Sequence, residues 1–129
     1  FHCFKCRSFS ATLKILKEKK KEGNLPSVYW CVNDEIAHWV IDALTELGLK
    51  VPGDISVIGY DGACIASEDN LTTVSLPFCS IGHKALELLL DYYENGKTDQ
   101  NSHVKMATSL VIKKTLTYAK KNNYGKDEK

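Results

Sequence analysis

Two polar residues, Asn33 and Asp61, follow short apolar runs of this chain, Asn33 directly and Asp61 after Gly59 and Tyr60. The first run is Val28 to Val32 and the second is Ile55 to Ile58. Each run is too short for a helix, is rich in β-branched and aromatic residues, and lacks apolar–polar alternation. That pattern is typical of a strand covered on both faces in a parallel sheet. Ligands of open α/β sheets bind beyond the carboxyl ends of the strands, so Asn33 and Asp61 are the first candidates for a binding site.

The chemistry of this pair indicates the kind of ligand. A carboxylate offers only hydrogen-bond acceptors, whereas an amide offers both donors and an acceptor. Together they suit a small polyhydroxylated ligand, whose hydroxyl groups need both. The alternative is that Asn33 is only a helix cap and Asp61 only a turn former. For Asn33 both roles can hold, because capping leaves part of the amide free.

Catalytic patterns are absent from the sequence. It contains no Gly-rich phosphate loop, Gly-x-Ser-x-Gly elbow or His-Glu-x-x-His pair, and no two of its four histidines have ligand spacing. We therefore predict no enzyme, no cofactor and no metal site. Cys3 and Cys6, beside His2, have a spacing that zinc or redox chemistry uses, but no second pair of ligands accompanies them. A first strand with small side chains is the preferred interpretation.

Composition predicts one soluble globular domain in a reducing cytoplasm. The 43% hydrophobic and 26% charged residues are ordinary for such proteins. A net charge of +1 gives no electrostatic case for nucleic-acid binding by this segment. The five cysteines are an odd number without a disulfide framework. We expect no membrane segment, because no apolar run approaches the roughly 20 residues that span a bilayer, and no signal peptide in Phe1 to Ser10.

A helix over Asp34 to Leu47 is predicted to cross over between the two strands, which makes a βαβ unit. Two side chains, His38 and Trp39, lie off its apolar stripe. They indicate either a contact with another subunit or packing of Trp39 on a neighbouring loop. The predicted stripe consists of Ile36, Val40, Ala43, Leu44 and Leu47.

Further elements complete a three-layer α/β arrangement with a mainly parallel sheet. We predict a strand over Phe1 to Arg7, a helix capped by Ser8 or Ser10 that ends near Gly23, and a strand over Thr72 to Ser75. The longest helix is predicted to begin at Pro77 and to end at Asn95-Gly96. A polar loop at Lys97 to His103 then leads to a last strand at Val104 to Ile112.

Several runs carry a family resemblance. They are Asn33-Asp34-Glu35-Ile36-Ala37, Gly48-Leu49-Lys50-Val51-Pro52, Asp54-Ile55-Ser56-Val57-Ile58-Gly59-Tyr60-Asp61, and Leu71-Thr72-Thr73-Val74 followed by Pro77 and Gly82. In this order and spacing they resemble LacI/GalR-type transcription regulators, over about Ser8 to Lys114.

The resemblance implies a regulator whose N-terminal helix-turn-helix binds operator DNA and whose two-lobed, periplasmic-binding-protein-like domain binds an effector in a cleft. Such regulators are usually homodimers. The chain matches only the C-terminal portion, so we expect it to be a piece of a longer protein. Residues 1–119 would be part of the effector-binding and dimerisation domain, and residues 120–129 a disordered tail. The helix within residues 78–100 would belong to the otherwise missing first lobe.

The resemblance also implies three ligand-binding residues. Asn33 and Asp61 would bind a carbohydrate effector, and Phe78, where the chain crosses between lobes, would stack on a sugar ring. Leu76 departs from the family, whose members often have a polar residue there. The segment from Cys3 to Ser8 also matches the family poorly.

Two other functions compete with the regulator. A sugar-binding receptor of an ABC importer shares the fold and the Asn-Asp pair, but the Val-Pro-x-Asp-Ile-Ser-Val link and the Leu-Thr-Thr-Val segment favour regulators. An enzyme of flavodoxin-like fold would need a phosphate loop or a reactive constellation. We therefore predict the effector-sensing portion of a transcription regulator.

Overall fold

One open sheet of four strands organises the part of the chain that the computed structural model describes, which is residues 8–63, 66, 70–96 and 103–118. In those residues the elements are α1 (Phe9–Lys21), β1 (Val28–Trp30), α2 (Asp34–Glu46), β2 (Ser56–Asp61), β3 (Thr72–Ser75), α3 (Phe78–Asn95) and β4 (Ser109–Val111). The predicted strand over residues 1–7, Cys3 and Cys6, most of the loop at 97–103, and the predicted tail at 120–129 lie outside the described residues.

The sheet has the order β1-β2-β3-β4. The first three strands are parallel, with Tyr29 opposite Val57 and Gly59 opposite Thr73. β4 runs antiparallel to β3 and is shorter than the predicted strand over Val104 to Ile112. A mainly parallel α/β sheet, with α2 crossing over between β1 and β2, is thereby confirmed.

Local signals set the helix ends. The Ser8 hydroxyl caps α1 by accepting a hydrogen bond of 3.3 Å from the backbone N–H of Ala11. At the other end, Gly23 has a φ of +66°, a conformation that a glycine adopts without strain. The Nζ of Lys20 donates a hydrogen bond of 2.6 Å to the carbonyl of Leu47, so a cation of α1 stabilises the C-terminal end of α2.

Helices α1 and α2 pack together and bury one hydrophobic core against the sheet. The predicted stripe of α2 is confirmed at Val40, Ala43 and Leu44, which are buried, while Ile36 and Leu47 are partly buried against the same core. His38 and Trp39 lie outside the buried set of α2, but both are half-buried. The buried core consists of Leu16, Tyr29, Cys31, Ala37, Val40, Ala43, Leu44, Ile55, Val57, Ala66 and Leu71.

The expectation that Val28 to Val32 is covered on both faces was wrong. Tyr29 and Cys31 are buried, but Trp30 is 69% exposed and Val32 74% exposed. The reason is that alternate side chains of a strand lie on opposite faces of the sheet. Tyr29 and Cys31 belong to the hydrophobic core, whereas Trp30 and Val32 lie on the face that is largely exposed. Within the described residues, this outer face of β1 is apolar and uncovered.

Helix α3 begins at Phe78 and ends before Gly96, whose φ is +68°, as the sequence predicted. No residue of this described helix is buried. Many of its large apolar side chains are exposed to solvent, including Leu89 at 63% and Tyr93 at 86% exposure. These apolar side chains of α3 therefore lack a cover among the residues that the structure describes.

None of the helices in the described ranges is both long enough and apolar enough to cross a membrane.

Candidate ligand-binding site

Asn33 and Asp61 lie at the same end of the sheet, the edge formed by the carboxyl ends of the parallel strands. The last paired residues of β1 and β2 are Trp30 and Ile58, and each candidate lies three positions beyond its strand's member of that pair. The N–H of Cys31 continues the pairing with a hydrogen bond of 2.8 Å to the carbonyl of Ile58. Both candidates are half-buried. The structure thus brings the ends of the two strands together as the sequence predicted.

Asn33 is the N-cap of α2. Its Oδ1 accepts a hydrogen bond of 2.8 Å from the backbone N–H of Ile36. The capping bond uses an acceptor atom, so the Nδ2 group takes no part in it and keeps its two donors. Capping therefore leaves Asn33 able to donate to a ligand hydroxyl.

Asp61 has a backbone conformation outside the regions that residues with a side chain usually adopt. Its φ is +108°, a value that residues other than glycine rarely adopt. Gly62 follows with a φ of +73°, and a β-carbon there would lie 2.8 Å from the Cα of Ser75. The turn therefore packs closely on the end of β3. Strained residues cluster at ligand clamps, so this conformation marks Asp61 as a binding candidate by a signal that the sequence did not show.

Asp34 lies beside this site and was not among the candidate residues predicted from the sequence. It is 1% exposed. Its Oδ1 accepts a hydrogen bond of 2.6 Å from the hydroxyl of Thr73, and its Oδ2 accepts one of 2.7 Å from the backbone N–H of Ala63. A β-carbon at Gly59 would overlap Asp34 Oδ1, so the missing side chain makes room for the carboxylate. A glycine inside a strand is a sign of such a close approach, and Gly59 was the available signal.

Phe78 lies at the same edge as Asp61. Asp61 pairs with Ser75, and Phe78 follows Ser75 by three residues as the first residue of α3. Phe78 is 55% exposed, so part of its surface is accessible to a ligand. Leu76, the family departure, is half-buried just before Pro77.

A separate open groove of about 400 Å³ runs along α3 and is lined by Ile81, Lys84, Ala85, Leu88, Val104 and Met106. None of the three candidate residues lines it. On the same helix the ammonium of Lys84 lies 2.9 Å from Glu87 and lowers the pKa of that exposed carboxyl. Among the described residues, no group of three His, Cys, Asp or Glu side chains is placed to hold a metal ion.

Comparison with known proteins shows that the chain is similar to a part of several transcription regulators. The profile of the family described as "Periplasmic binding protein-like domain" matches residues 6–116. The chain is 36% identical to the HTH-type transcriptional repressor PurR of Pasteurella multocida over 97 residues, which are 74% of this chain and 29% of that protein. It is 30% identical to the arabinose metabolism transcriptional repressor of Geobacillus stearothermophilus over 102 residues, 78% of this chain and 28% of the repressor.

Solved structures agree. A LacI family transcriptional regulator from Arthrobacter sp. FB24, in complex with lactose, superposes with a TM-score of 0.75 at 26% identity, covering 86% of this chain and 43% of the other. The Lac repressor bound to ONPG in the repressed state gives a TM-score of 0.71 at 30% identity, covering 84% of this chain and 33% of the repressor.

The chain therefore belongs to the periplasmic binding protein-like domain family, in the form found in LacI/GalR-type regulators. It spans 28% to 29% of the length of the two curated repressors named above. The predicted resemblance and fold class are both confirmed.

Proposed function

We propose that this chain is the effector-sensing portion of a LacI/GalR-type transcription regulator. A sugar or another small polar metabolite binds between two lobes and controls the binding of operator DNA by a domain outside this chain. The observation that carries the proposal is the strained φ of +108° at Asp61, at the sheet edge that Asn33 also occupies. The repressor relatives and the lactose complex of a structural neighbour support it.

Each site residue has a role that follows from its chemistry. The carboxylate of Asp61 accepts hydrogen bonds from ligand hydroxyls, and the Nδ2 group of Asn33 donates to a hydroxyl oxygen. The exposed ring of Phe78 packs on the apolar face of a sugar ring. None of these roles involves bond making or breaking, which agrees with a binding protein rather than an enzyme.

The uncovered surfaces fit a larger assembly. In this proposal α3 belongs to the first lobe, which covers its exposed apolar side chains, including Leu89 and Tyr93. The parent protein works in the cytoplasm as a homodimer, with the region of His38 and Trp39 contributing to the subunit contact. A dimeric Lac repressor bound to operator and to the anti-inducer ONPF is among the structural neighbours. Sedimentation of the complete protein at micromolar concentration should give a dimer, and a strict monomer would contradict this part.

The binding role is tested by Asp61→Ala in the complete protein. A panel of aldopentoses, aldohexoses and lactose is titrated against the complex with DNA from the protein's own promoter region, and DNA release is followed by fluorescence anisotropy. Losing a partner of a buried polar ligand group costs about 1–3 kcal/mol, so the midpoint of the best sugar should shift by about fivefold or more. DNA affinity without sugar should change little.

Asp91→Ala is the matched control, because this exposed aspartate bonds to Asn95 on its own helix. An unchanged midpoint for Asp61→Ala would remove Asp61 from the site. A complete protein that binds no specific DNA would favour the importer receptor instead.

A further inference from the structure

One buried carboxylate has no role in the binding scheme above. Asp34 is 1% exposed, and each of its oxygens accepts one short hydrogen bond. The donors are the hydroxyl of Thr73 on β3 and the backbone N–H of Ala63, in the loop after β2. Neither belongs to the helix that Asp34 begins. The side chain therefore connects the first turn of α2 to two other elements.

Stabilising α2 does not require this burial. A negative charge in the first turn of a helix stabilises it from an exposed position, as Glu35 does here. Burying a carboxylate instead carries a desolvation cost that only good hydrogen bonds offset. The fold also leaves out a side chain at Gly59 to admit the carboxylate. This arrangement indicates a task beyond the helix.

The geometry shows what the carboxylate holds. Ala63 lies two residues after Asp61, and the turn between them has two consecutive positive φ angles, +108° at Asp61 and +73° at Gly62. The turn is held on one side by the hydrogen bond of 3.0 Å from the N–H of Leu76 to the carbonyl of Asp61. On the other side it is held by Asp34. Asp34 is also covalently next to Asn33, the other polar candidate.

We propose that Asp34 is a positioning residue of the effector site. Its carboxylate holds the turn after β2 so that Asp61 keeps its strained conformation and a constant placement relative to Asn33. Asp34 is too buried to touch the effector and acts only through Asp61. The inference rests on the proposed function, because it assumes that Asp61 binds the effector.

The test is a double-mutant cycle in the complete protein, with the tightest-binding sugar of the panel as probe and calorimetric titration as the measurement. Asp34→Asn keeps the shape but removes one of the two acceptors. We expect it to weaken sugar binding by about three- to tenfold, the usual range for one misplaced hydrogen-bonding partner. In the Asp61→Ala background the same substitution should have no further effect, because residues that act as one unit are not additive.

A milder pair of variants covers the case in which Asp34→Asn folds poorly. Thr72 and Thr73 are neighbours on β3, are both buried, and both use their hydroxyls in hydrogen bonds. Only Thr73 bonds to Asp34; the hydroxyl of Thr72 accepts from the N–H of Lys113. Thr73→Val should weaken sugar binding, whereas Thr72→Val should leave the dissociation constant within about twofold of the original.

The binding results distinguish a failure of the proposed site from a failure of the positioning role alone. Unchanged binding by Asp61→Ala overturns the proposed site, and the positioning role with it. Weakened binding by Asp61→Ala combined with unchanged binding by Asp34→Asn and Thr73→Val overturns the positioning role alone. The positioning role is also overturned if Asp34→Asn weakens binding equally in the original and the Asp61→Ala backgrounds. An equal loss of binding from Thr72→Val and Thr73→Val overturns it too, because either result indicates a general effect on folding.

Discussion

The backbone N–H of Leu76 donates a hydrogen bond of 3.0 Å to the carbonyl oxygen of Asp61. The bond joins the strained turn after β2 to the segment that leads through Pro77 into α3. It lies just beyond the last pair of the β2–β3 ladder, Asp61 and Ser75. The conformation of Asp61 is therefore coupled to the start of α3, where Phe78 is exposed.

The two roles of Asn33 can be separated by substitution. Serine caps helices about as well as asparagine, whereas alanine at an N-cap costs about 1 kcal/mol. Asn33→Ser should keep the free energy of unfolding and weaken effector binding, because the Nδ2 donors are gone. Asn33→Ala should lower both. Urea unfolding and calorimetric titration measure the two quantities, and sugar binding at the original strength by Asn33→Ser would reduce Asn33 to a cap.

The strain at Asp61 predicts different stabilities for its glycine and alanine variants. Glycine adopts a φ of +108° freely, whereas alanine is strained there as aspartate is. Asp61→Gly should therefore be more stable than Asp61→Ala by about 1 kcal/mol, the lower end of the cost of such conformations. Both variants should lose effector binding to a similar extent. Equal urea midpoints for the two variants would show that the turn is unstrained.

Gly59 and Gly82 should respond in opposite ways to alanine. A β-carbon at Gly59 would overlap Asp34 Oδ1 and lie 2.9 Å from Cδ2 of Leu71, whereas one at Gly82 meets nothing within 4 Å. Gly59→Ala should lower the free energy of unfolding by about 1–3 kcal/mol through overpacking. Gly82→Ala, inside α3, should raise it by about 0.5–1 kcal/mol. Thermal unfolding of both variants is the measurement, and a neutral Gly59→Ala would contradict the close approach.

Thr115 links the C-terminal segment to the sheet. Its buried hydroxyl donates 2.7 Å to the carbonyl of Val57 and accepts 2.9 Å from the N–H of Thr72. Thr115→Val leaves both backbone groups without this partner, so it should cost about 1–3 kcal/mol in urea unfolding. Thr117→Val is the control, because Thr117 is exposed and bonds Ser56 through its backbone. An equal loss of stability in both variants would show that the loss comes from disturbing this segment in general and not from removing the Thr115 hydroxyl.

Local features of this protein could be read from the sequence because their causes are local. The cap at Asn33 acts on the N–H of Ile36, three residues away, and the end of α3 depends on Gly96 next to it. The βαβ unit followed from apolar runs too short for helices on either side of a helical stripe. The strand ends, and with them Asn33 and Asp61, were therefore placed correctly at one edge.

Only the tertiary structure decided the rest, because the causes lie far apart in the chain. Asp34 meets Thr73 across 39 positions, and Thr115 meets Val57 across 58. Such contacts depend on strand order and register, which no nearby residue specifies. The open face of Trp30 was missed for a related reason: an apolar run shows which residues avoid water, but not which neighbouring layer covers them. Gly62, in the turn after Asp61, likewise packs closely on Ser75, a residue of another strand.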